Sequence, residues 1–160
     1  MKQLIILVII FLSFGVLNAQ DSKNMVVGKF NYEQWLQETG WSTQDSVKYN
    51  PSDSVILLLK PIVEEQKIGF IVFAGSWCGD TKSELHKIIS VIKALGVDLI
   101  NLPIFGLDRD KYEPSFTAKR MNIQKVPTLI ITYQDEEVGR IVEFPEEGST
   151  WELDILRIFR

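Results

Sequence analysis

The residue of this 160-residue chain best suited to chemistry is its single cysteine, Cys78, in the stretch GSWCGDTKSE. The apolar run KIGFIVFAG ends just before it and an amphipathic pattern begins just after it. This pattern predicts that Cys78 lies where a strand ends and a helix begins. Free N–H groups and partial positive charge in the first turn of a helix stabilise a thiolate. We therefore interpret Cys78 as a reactive nucleophile; the alternative is a buried structural cysteine.

The chain also has only one histidine, His86, which limits the kinds of site it can build. One cysteine excludes an internal disulfide, and one Cys with one His excludes an ordinary zinc site. His86 follows Cys78 by eight residues, roughly 12 Å along a helix at about 1.5 Å per residue. A Cys–His nucleophile pair needs direct contact, so we expect His86 to be a surface residue. The prediction includes neither a metal nor another cofactor.

The elements that position the cysteine follow from hydrophobic patterning. The continuous apolar run before Cys78 is typical of a strand buried on both faces, and Gly96 is a plausible C-cap for the helix after it. We expect Asp108, Arg109 and Asp110 to form a solvated loop. The pattern predicts an α/β fold, a central mixed sheet with helices on both faces. The further segments are strands at VDLINLPIF, VPTLIITY and VGRIVEF and helices at FTAKRMN and TWELDILRIF.

Two more helices are predicted before the first of these strands. NYEQWLQETG is typical of a short helix that begins at Asn31 and ends at Gly40, with aromatic residues packing on the main body. In NPSDSVILLLKPIVEEQ, Asn50 is a plausible N-cap and Pro51 suits the first helical position. Pro61 is expected to kink or break that helix.

Two motifs resemble the thioredoxin family. Trp77 followed by Cys78 in WCGDT resembles the thioredoxin active site, in which a Trp precedes the first Cys of a Cys-x-x-Cys pair. Val126-Pro127-Thr128 in KVPTLIIT resembles the cis-proline segment of that fold, and DEEVGRIVEF is similar to the hairpin that follows it. The resemblance covers about residues 51–160 and implies a thioredoxin-like fold with a cis Val126–Pro127 bond.

The resemblance also implies roles for these residues. Cys78 would attack sulfur, while Trp77 and the backbone of Val126, Pro127 and Thr128 would hold a client chain. Thr81 stands where thioredoxins carry the second, resolving cysteine. Its hydroxyl could donate a hydrogen bond to the Cys78 thiolate, or Thr81 could be an ordinary residue of the first helical turn. The buried acid of thioredoxins is replaced by Val72, which is consistent with the loss of the resolving thiol.

The N-terminus is typical of an export signal. Lys2 precedes an apolar run from Leu4 to about Leu17, which is too short to cross roughly 30 Å of hydrocarbon comfortably, and the small Ala19 follows. We predict a signal peptide over residues 1–19, with cleavage near Ala19, and export to the periplasm or cell envelope; the alternative is an uncleaved anchor. Residues 20–50 would form an N-terminal helical extension, and residues 51–160 a thioredoxin-like domain.

Charge and chemistry together indicate the partners. The net charge of −4 without a basic cluster disfavours nucleic acid. The expected partners are client protein thiols and disulfides or a low-molecular-weight thiol, with membrane contact only through the signal segment. Two functions stay open: monothiol thiol–disulfide exchange, and a non-catalytic module that binds peptides or proteins. A one-cysteine peroxidase is disfavoured because the sequence places no arginine near Cys78.

Overall fold

The computed structural model describes residues 25–42 and 48–160. The predicted signal peptide and its cleavage near Ala19 fall outside these described residues. Within them no helix combines the length and apolar character needed to span a membrane. In chain order the elements are β1 (Gly28–Phe30), α1 (Tyr32–Thr39), α2 (Asp53–Gln66), β2 (Ile68–Ala74), α3 (Gly79–Ala94), β3 (Ile104–Gly106), α4 (Thr117–Arg120), β4 (Thr128–Tyr133), β5 (Glu136–Val142) and α5 (Trp151–Ile158).

The strands of the described chain form one mixed sheet in the order β1-β3-β2-β4-β5. The central strand β2 pairs in parallel with β3, where Val72 lies opposite Ile104, and antiparallel with β4, where Val72 lies opposite Leu129. β1 and β5 close the edges in antiparallel pairs. The continuous apolar run of β2 follows from its central position with both faces covered. The α/β architecture that the sequence and its thioredoxin-like resemblance predict is confirmed.

The two faces of the sheet carry unequal hydrophobic cores. Alternate residues of β2, such as Phe70 and Val72, face a large cluster that also contains buried residues of α2, α3 and α5. Phe73 faces a smaller cluster to which α4 contributes only Ala118, and Trp77 and Cys78 pack against that cluster. Helices therefore lie on both faces, and the predicted nucleophile lies beside the more lightly covered one.

The N-terminal segment belongs to the same core. The predicted helix forms, with an Asn31 capping box and Gly40 in the left-handed conformation at its end. Trp35 is fully buried and makes edge-to-face contacts with Phe30 and Trp41 at 6.1 and 5.7 Å between ring centroids. The strand β1 was not predicted, because a three-residue strand is too short to show alternation and is fixed by its pairing with β3.

Two details of α2 differ from the sequence prediction. The helix has Ser52 as its N-cap rather than Asn50, and it continues through Pro61. Proline removes the N–H that would bond the carbonyl of Leu57. Leu57 is 72% exposed and Pro61 is also exposed, so water can satisfy that carbonyl and the helix tolerates the proline.

The predicted strand VDLINLPIF is also shorter than expected. Only Ile104 and Phe105 of this run, followed by Gly106, belong to β3. The residues before them turn around Asp98, whose carboxylate accepts from the amide of Ile100 at 3.0 Å. An Asp that binds a backbone amide two residues later favours a turn over a strand.

A buried carboxylate links the start of α2 to α5. Glu152, only 2% exposed, accepts from the hydroxyl of Tyr49 at 2.7 Å and from the amide of Ser52 at 3.0 Å. Burial raises the pKa of Glu152, but the hydrogen bonds from Ser52 and Tyr49 lower it more, so the pKa lies below its usual 4.5. Tyr49 beside this carboxylate has a raised pKa, mainly from burial.

This depressed pKa predicts a pH-dependent contribution to stability. The contribution is fully present above the unfolded-state pKa and is lost as the pH falls through the lower folded value. We expect Glu152→Gln to lower the free energy of unfolding at pH 7 by about 1–3 kcal/mol, and the difference from wild type to shrink below pH 4. Urea unfolding at pH 7 and pH 3.5 measures it, with Glu65→Gln on the exposed side of α2 as control. An equal loss at both pH values would contradict the assignment.

A second buried carboxylate joins α3 to α5. The indole N–H of Trp151 donates to Glu84 at 3.0 Å, and the ammonium of Lys87 donates to the other carboxylate oxygen at 2.6 Å. Glu84 is 5% exposed and Trp151 is 1% exposed. The helix that begins after Cys78 is thereby fixed to the last helix of the fold.

Candidate active site

Cys78 lies at the N-cap of α3 in an extended backbone conformation, and α3 begins at Gly79. Its amide donates to the carbonyl of Gly75 at 3.0 Å, and its carbonyl accepts from Lys82 at 3.1 Å. The thiol is free and half-buried. The predicted junction between strand and helix is confirmed, and the sulfur lies where the free amides of the first turn are found.

The second motif comes directly against the sulfur. The Val126–Pro127 peptide bond is cis, and the Cys78 thiol donates to the carbonyl of Val126 at 3.4 Å. The carbonyl of Pro127 accepts from the amide of Glu143 at 2.7 Å, and Lys125 forms a salt bridge with Glu143 at 2.6 Å. The proline loop is therefore attached to the end of β5 and holds the Val126 carbonyl beside the thiol.

Thr128 has a structural role in this loop. Its hydroxyl donates to the carbonyl of Lys125 at 2.8 Å, and its side chain is buried together with Val126 and Pro127. The side chain of Thr128 thus stabilises the turn into β4. The predicted substrate-binding role of Val126, Pro127 and Thr128 stays a prediction that concerns their backbone.

Thr81 is completely buried, and its hydroxyl accepts from the amide of Gly75 at 3.2 Å. Between the described residues there is no hydrogen bond from Thr81 to the sulfur of Cys78. Together with the bond from the Cys78 amide to Gly75, this contact closes the loop of residues 75–81. Thr81 therefore shapes the loop that carries the cysteine, and its predicted action on the thiolate stays a prediction.

Trp77 forms the wall beside the cysteine. Its indole N–H donates to the carbonyl of Leu107 at 2.8 Å, which fixes the ring at the end of β3. The ring lies so close to Gly75 that a Cβ built there would be 2.9 Å from it. The guanidinium of Arg109 and the ammonium of Lys111 lie 5.0 and 5.2 Å from the ring centroid, within the range of cation–π contacts.

The loop that carries these cations is closed by its own hydrogen bonds, and Arg109 and Asp110 are exposed to solvent in it, as the sequence predicts. The carboxylate of Asp108 accepts from the amides of Asp110 and Tyr112 at 2.9 and 2.8 Å. The ammonium of Lys111 donates to the carbonyl of Arg109 at 2.8 Å. The local sequence does not show that this loop lies near Cys78. It lies there because the parallel strands β2 and β3 end at the same edge of the sheet.

Residues of the N-terminal segment also reach the loop of the cysteine. The amide of Val26 donates to the hydroxyl of Ser76 at 2.9 Å. A Cβ built on Gly106 would lie 2.4 Å from the carbonyl of Val26, so a glycine there permits this close approach. Nothing in the local sequence pattern indicates this contact, which spans fifty residues.

His86 and Arg140 both lie outside the site around Cys78. His86 is half-buried rather than on the surface, and it lines a cavity with Tyr32 and Trp41. Arg140 forms the expected salt bridge within the hairpin, to Glu137 at 2.6 Å, and also donates to the carbonyl of Met121 at 3.0 Å. Over residues 25–42 and 48–160, no group of three or more His, Cys, Asp or Glu side chains is arranged to hold a metal.

Comparisons with known proteins give matches to solved structures alone. No protein-family model matches the chain, and no curated protein matches it significantly. The solved structures that are similar to it include the following three. One is an HIV epitope-scaffold at 12% identity, covering 84% of each chain with a TM-score of 0.45. A second is a chain from a complex of ferredoxin:thioredoxin reductase and thioredoxin f2, at 19% identity, covering 64% of this chain and 84% of that chain with a TM-score of 0.39. A third is a chain from a structure on the thiol resolving mechanism in yeast mitochondrial 1-Cys peroxiredoxin via glutathione/thioredoxin systems, at 20% identity, covering 64% of this chain and 87% of that chain with a TM-score of 0.37. At these TM-scores the similarities carry no functional argument for this chain.

Proposed function

We propose that this protein carries out thiol–disulfide exchange through Cys78 alone. The observation that carries the proposal is the position of the thiol: it lies at the N-terminus of α3, beside Trp77, and against the carbonyl that precedes a cis proline. The chain contains no other cysteine, so the exchange has to be resolved by a thiol from outside the chain.

The exchange has two balanced steps. The Cys78 thiolate attacks one sulfur of a client disulfide, forming a mixed disulfide while the second client sulfur leaves as a thiolate and takes up a proton. A second thiolate then attacks the mixed disulfide and releases Cys78. If that thiolate belongs to the client, the client disulfide is isomerised without net oxidation. If it belongs to a small thiol, the client disulfide is reduced, and the small thiol leaves oxidised after a second equivalent attacks.

The carbonyl of Val126 has a different partner before and during the exchange. In the free protein it accepts from the Cys78 thiol at 3.4 Å. Once the sulfur is bonded to a client, that donor is gone, and the carbonyl can accept a backbone N–H of the client next to its cysteine. An extended client strand that binds in this way uses main-chain hydrogen bonds for affinity, while Trp77 contacts its side chains.

Export to the periplasm or cell envelope is part of the proposal. It is supported by the charged residue, short apolar run and Ala19 at the N-terminus. Disulfides persist in such a compartment, so an exchanger there would meet proteins whose disulfides need rearrangement.

The second candidate function is a binding module without catalysis, and the packing of Thr81 favours it. Thr81 is fully buried and hydrogen-bonded to Gly75, so the loop of the cysteine is complete without a second thiol. A module of this kind would use the surface beside Trp77 and would not need the sulfur of Cys78.

Mixed disulfides distinguish the two candidates. We expect wild-type protein, incubated with a protein whose disulfides are scrambled, to form adducts on non-reducing gels that a reductant removes. Because no internal thiol resolves them, these adducts should accumulate without any engineered trap, and Cys78→Ser should form none. Circular dichroism of both proteins controls for folding. Absence of adducts from folded wild-type protein, with client binding unchanged in Cys78→Ser, would replace exchange by the binding module.

A further inference from the structure

We propose that Arg109 and Lys111 select clients that carry aspartate or glutamate next to the reacting cysteine. This inference rests on the proposed exchange through Cys78 and specifies its substrate class. The chain as a whole is acidic, with a net charge of −4. Nevertheless the residue directly before the cysteine, Trp77, carries two cations on its ring. A local charge opposite in sign to that of the whole protein indicates the charge of the segment that approaches it.

Hydrogen bonds position the ammonium of Lys111 and the ring beneath the two cations. Lys111 is fixed by its bond to the carbonyl of Arg109, and the loop around it is closed by the carboxylate of Asp108. The ring of Trp77 is itself fixed to the carbonyl of Leu107. A client carboxylate that reaches this place meets positive charge whose position is already set, which lowers the ordering cost of binding.

The surface continues away from the cysteine in a way that suits an extended segment. Lys111 also borders a cleft that contains a further cation, Lys119. The cleft is also lined by the rings of Tyr112 and Phe116, which make an edge-to-face pair at 5.5 Å and are 46% and 50% exposed. A client segment along this side would meet the cations first and the aromatic pair next.

Negative groups near this surface set the size of the expected effect. Asp110 lines the same cleft, and Asp80 lies in the first turn of α3. The carboxylates of Asp108 and Glu113 are engaged by backbone amides of their own loop. One exposed charge pair at about 4 Å changes a binding or rate constant roughly fivefold in water, and less with added salt. We therefore expect about five- to tenfold selectivity for the acidic client.

The test uses short synthetic peptides whose one cysteine is a mixed disulfide with 2-thiopyridine. The Cys78 thiolate attacks the peptide sulfur, and the pyridyl sulfur leaves as pyridine-2-thione, whose absorbance is measured. Three peptides differ only beside the cysteine, with Asp, Asn or Lys. At low salt we expect the wild-type rate constant to be about five- to tenfold higher for Asp than for Asn, lowest for Lys, and nearly equal for all three in high salt.

Matched variants assign the selectivity to these residues. Lys111→Gln should lower the ratio of Asp to Asn rates by about twofold or more, and Arg109→Gln/Lys111→Gln should bring it close to one. Lys93→Gln removes an exposed charge at the far end of α3 and should leave the ratio as in wild type. No reaction of wild type with any peptide would contradict the proposed exchange itself. Reaction without selectivity, or selectivity that survives in the double variant, would overturn this inference and leave the exchange standing.

Discussion

Replacing Thr81 with cysteine is expected to give this protein an internal disulfide and the ability to release its own mixed disulfides. Residues three apart at the start of a helix lie side by side, with Cβ atoms roughly 5–6 Å apart, so a local adjustment of roughly 1–2 Å brings them to the roughly 3.5–4.5 Å that a disulfide requires. The side chain of Thr81 is buried in the loop of the cysteine, so a thiol of similar size would lie next to Cys78. We expect the lifetime of a mixed disulfide to fall by at least about 100-fold relative to release by millimolar small thiol, because effective molarities of intramolecular reactions are far higher than that.

The measurement is direct. Thiol counts of Thr81→Cys before and after reduction report the internal disulfide, and a quenched time course on non-reducing gels reports the lifetime of the adduct. Thr81→Ser is the matched control, since it keeps a hydroxyl for the amide of Gly75 and adds no sulfur. If Thr81→Cys stays fully reduced under oxidising conditions and its adducts last as long as those of Thr81→Ser, the loop does not have the geometry of a dithiol site.

The second large effect is expected at Trp35, in the segment that the sequence assigned to an extension. Trp35→Ala should lower the free energy of unfolding by about 3–5 kcal/mol, the range for removal of a large buried aromatic side chain. Trp35 has no exposed surface and packs edge-to-face between Phe30 and Trp41. Domains are stable by only about 5–15 kcal/mol, so this single change would remove much of the total.

Urea unfolding followed by circular dichroism measures this loss. Tyr133→Ala, at a position 40% exposed, controls for loss of an aromatic ring that is not in the core and should cost under about 1 kcal/mol. If Trp35→Ala costs no more than Tyr133→Ala, residues 25–42 do not contribute to the core as their burial indicates.

Elements with strong local signals were predictable from the sequence. The continuous apolar run predicted the central strand β2, and the helical spacing of apolar residues after Cys78 predicted α3. Asn31 and Gly40 predicted the two ends of α1. The place of Cys78 at a strand–helix junction followed from the same local pattern, and the site therefore centres on the residue that the sequence singled out.

Features set by distant contacts were not predictable in this way. The strand β1 exists because β3 lies beside it, and α2 begins at Asp53 after a segment held by Glu152, a hundred residues away. In the sequence Arg109 is one charge in a mixed-charge loop. In the fold, the ends of β2 and β3 bring that loop over Trp77. In each case the partner that determines the structure lies far along the chain, and neither hydrophobic periodicity nor capping residues indicate such a distant contact.

The bond between Trp151 and Glu84 has a consequence for the way the chain is made. The carboxylate on the helix of the reactive cysteine receives its indole partner from a residue synthesised 67 positions later. Contacts of such separation form late, because a long loop has to close first. During translation the cysteine is therefore complete as a sequence well before its helix is docked. The contact that fixes α3 to the last helix therefore waits for the synthesis of α5.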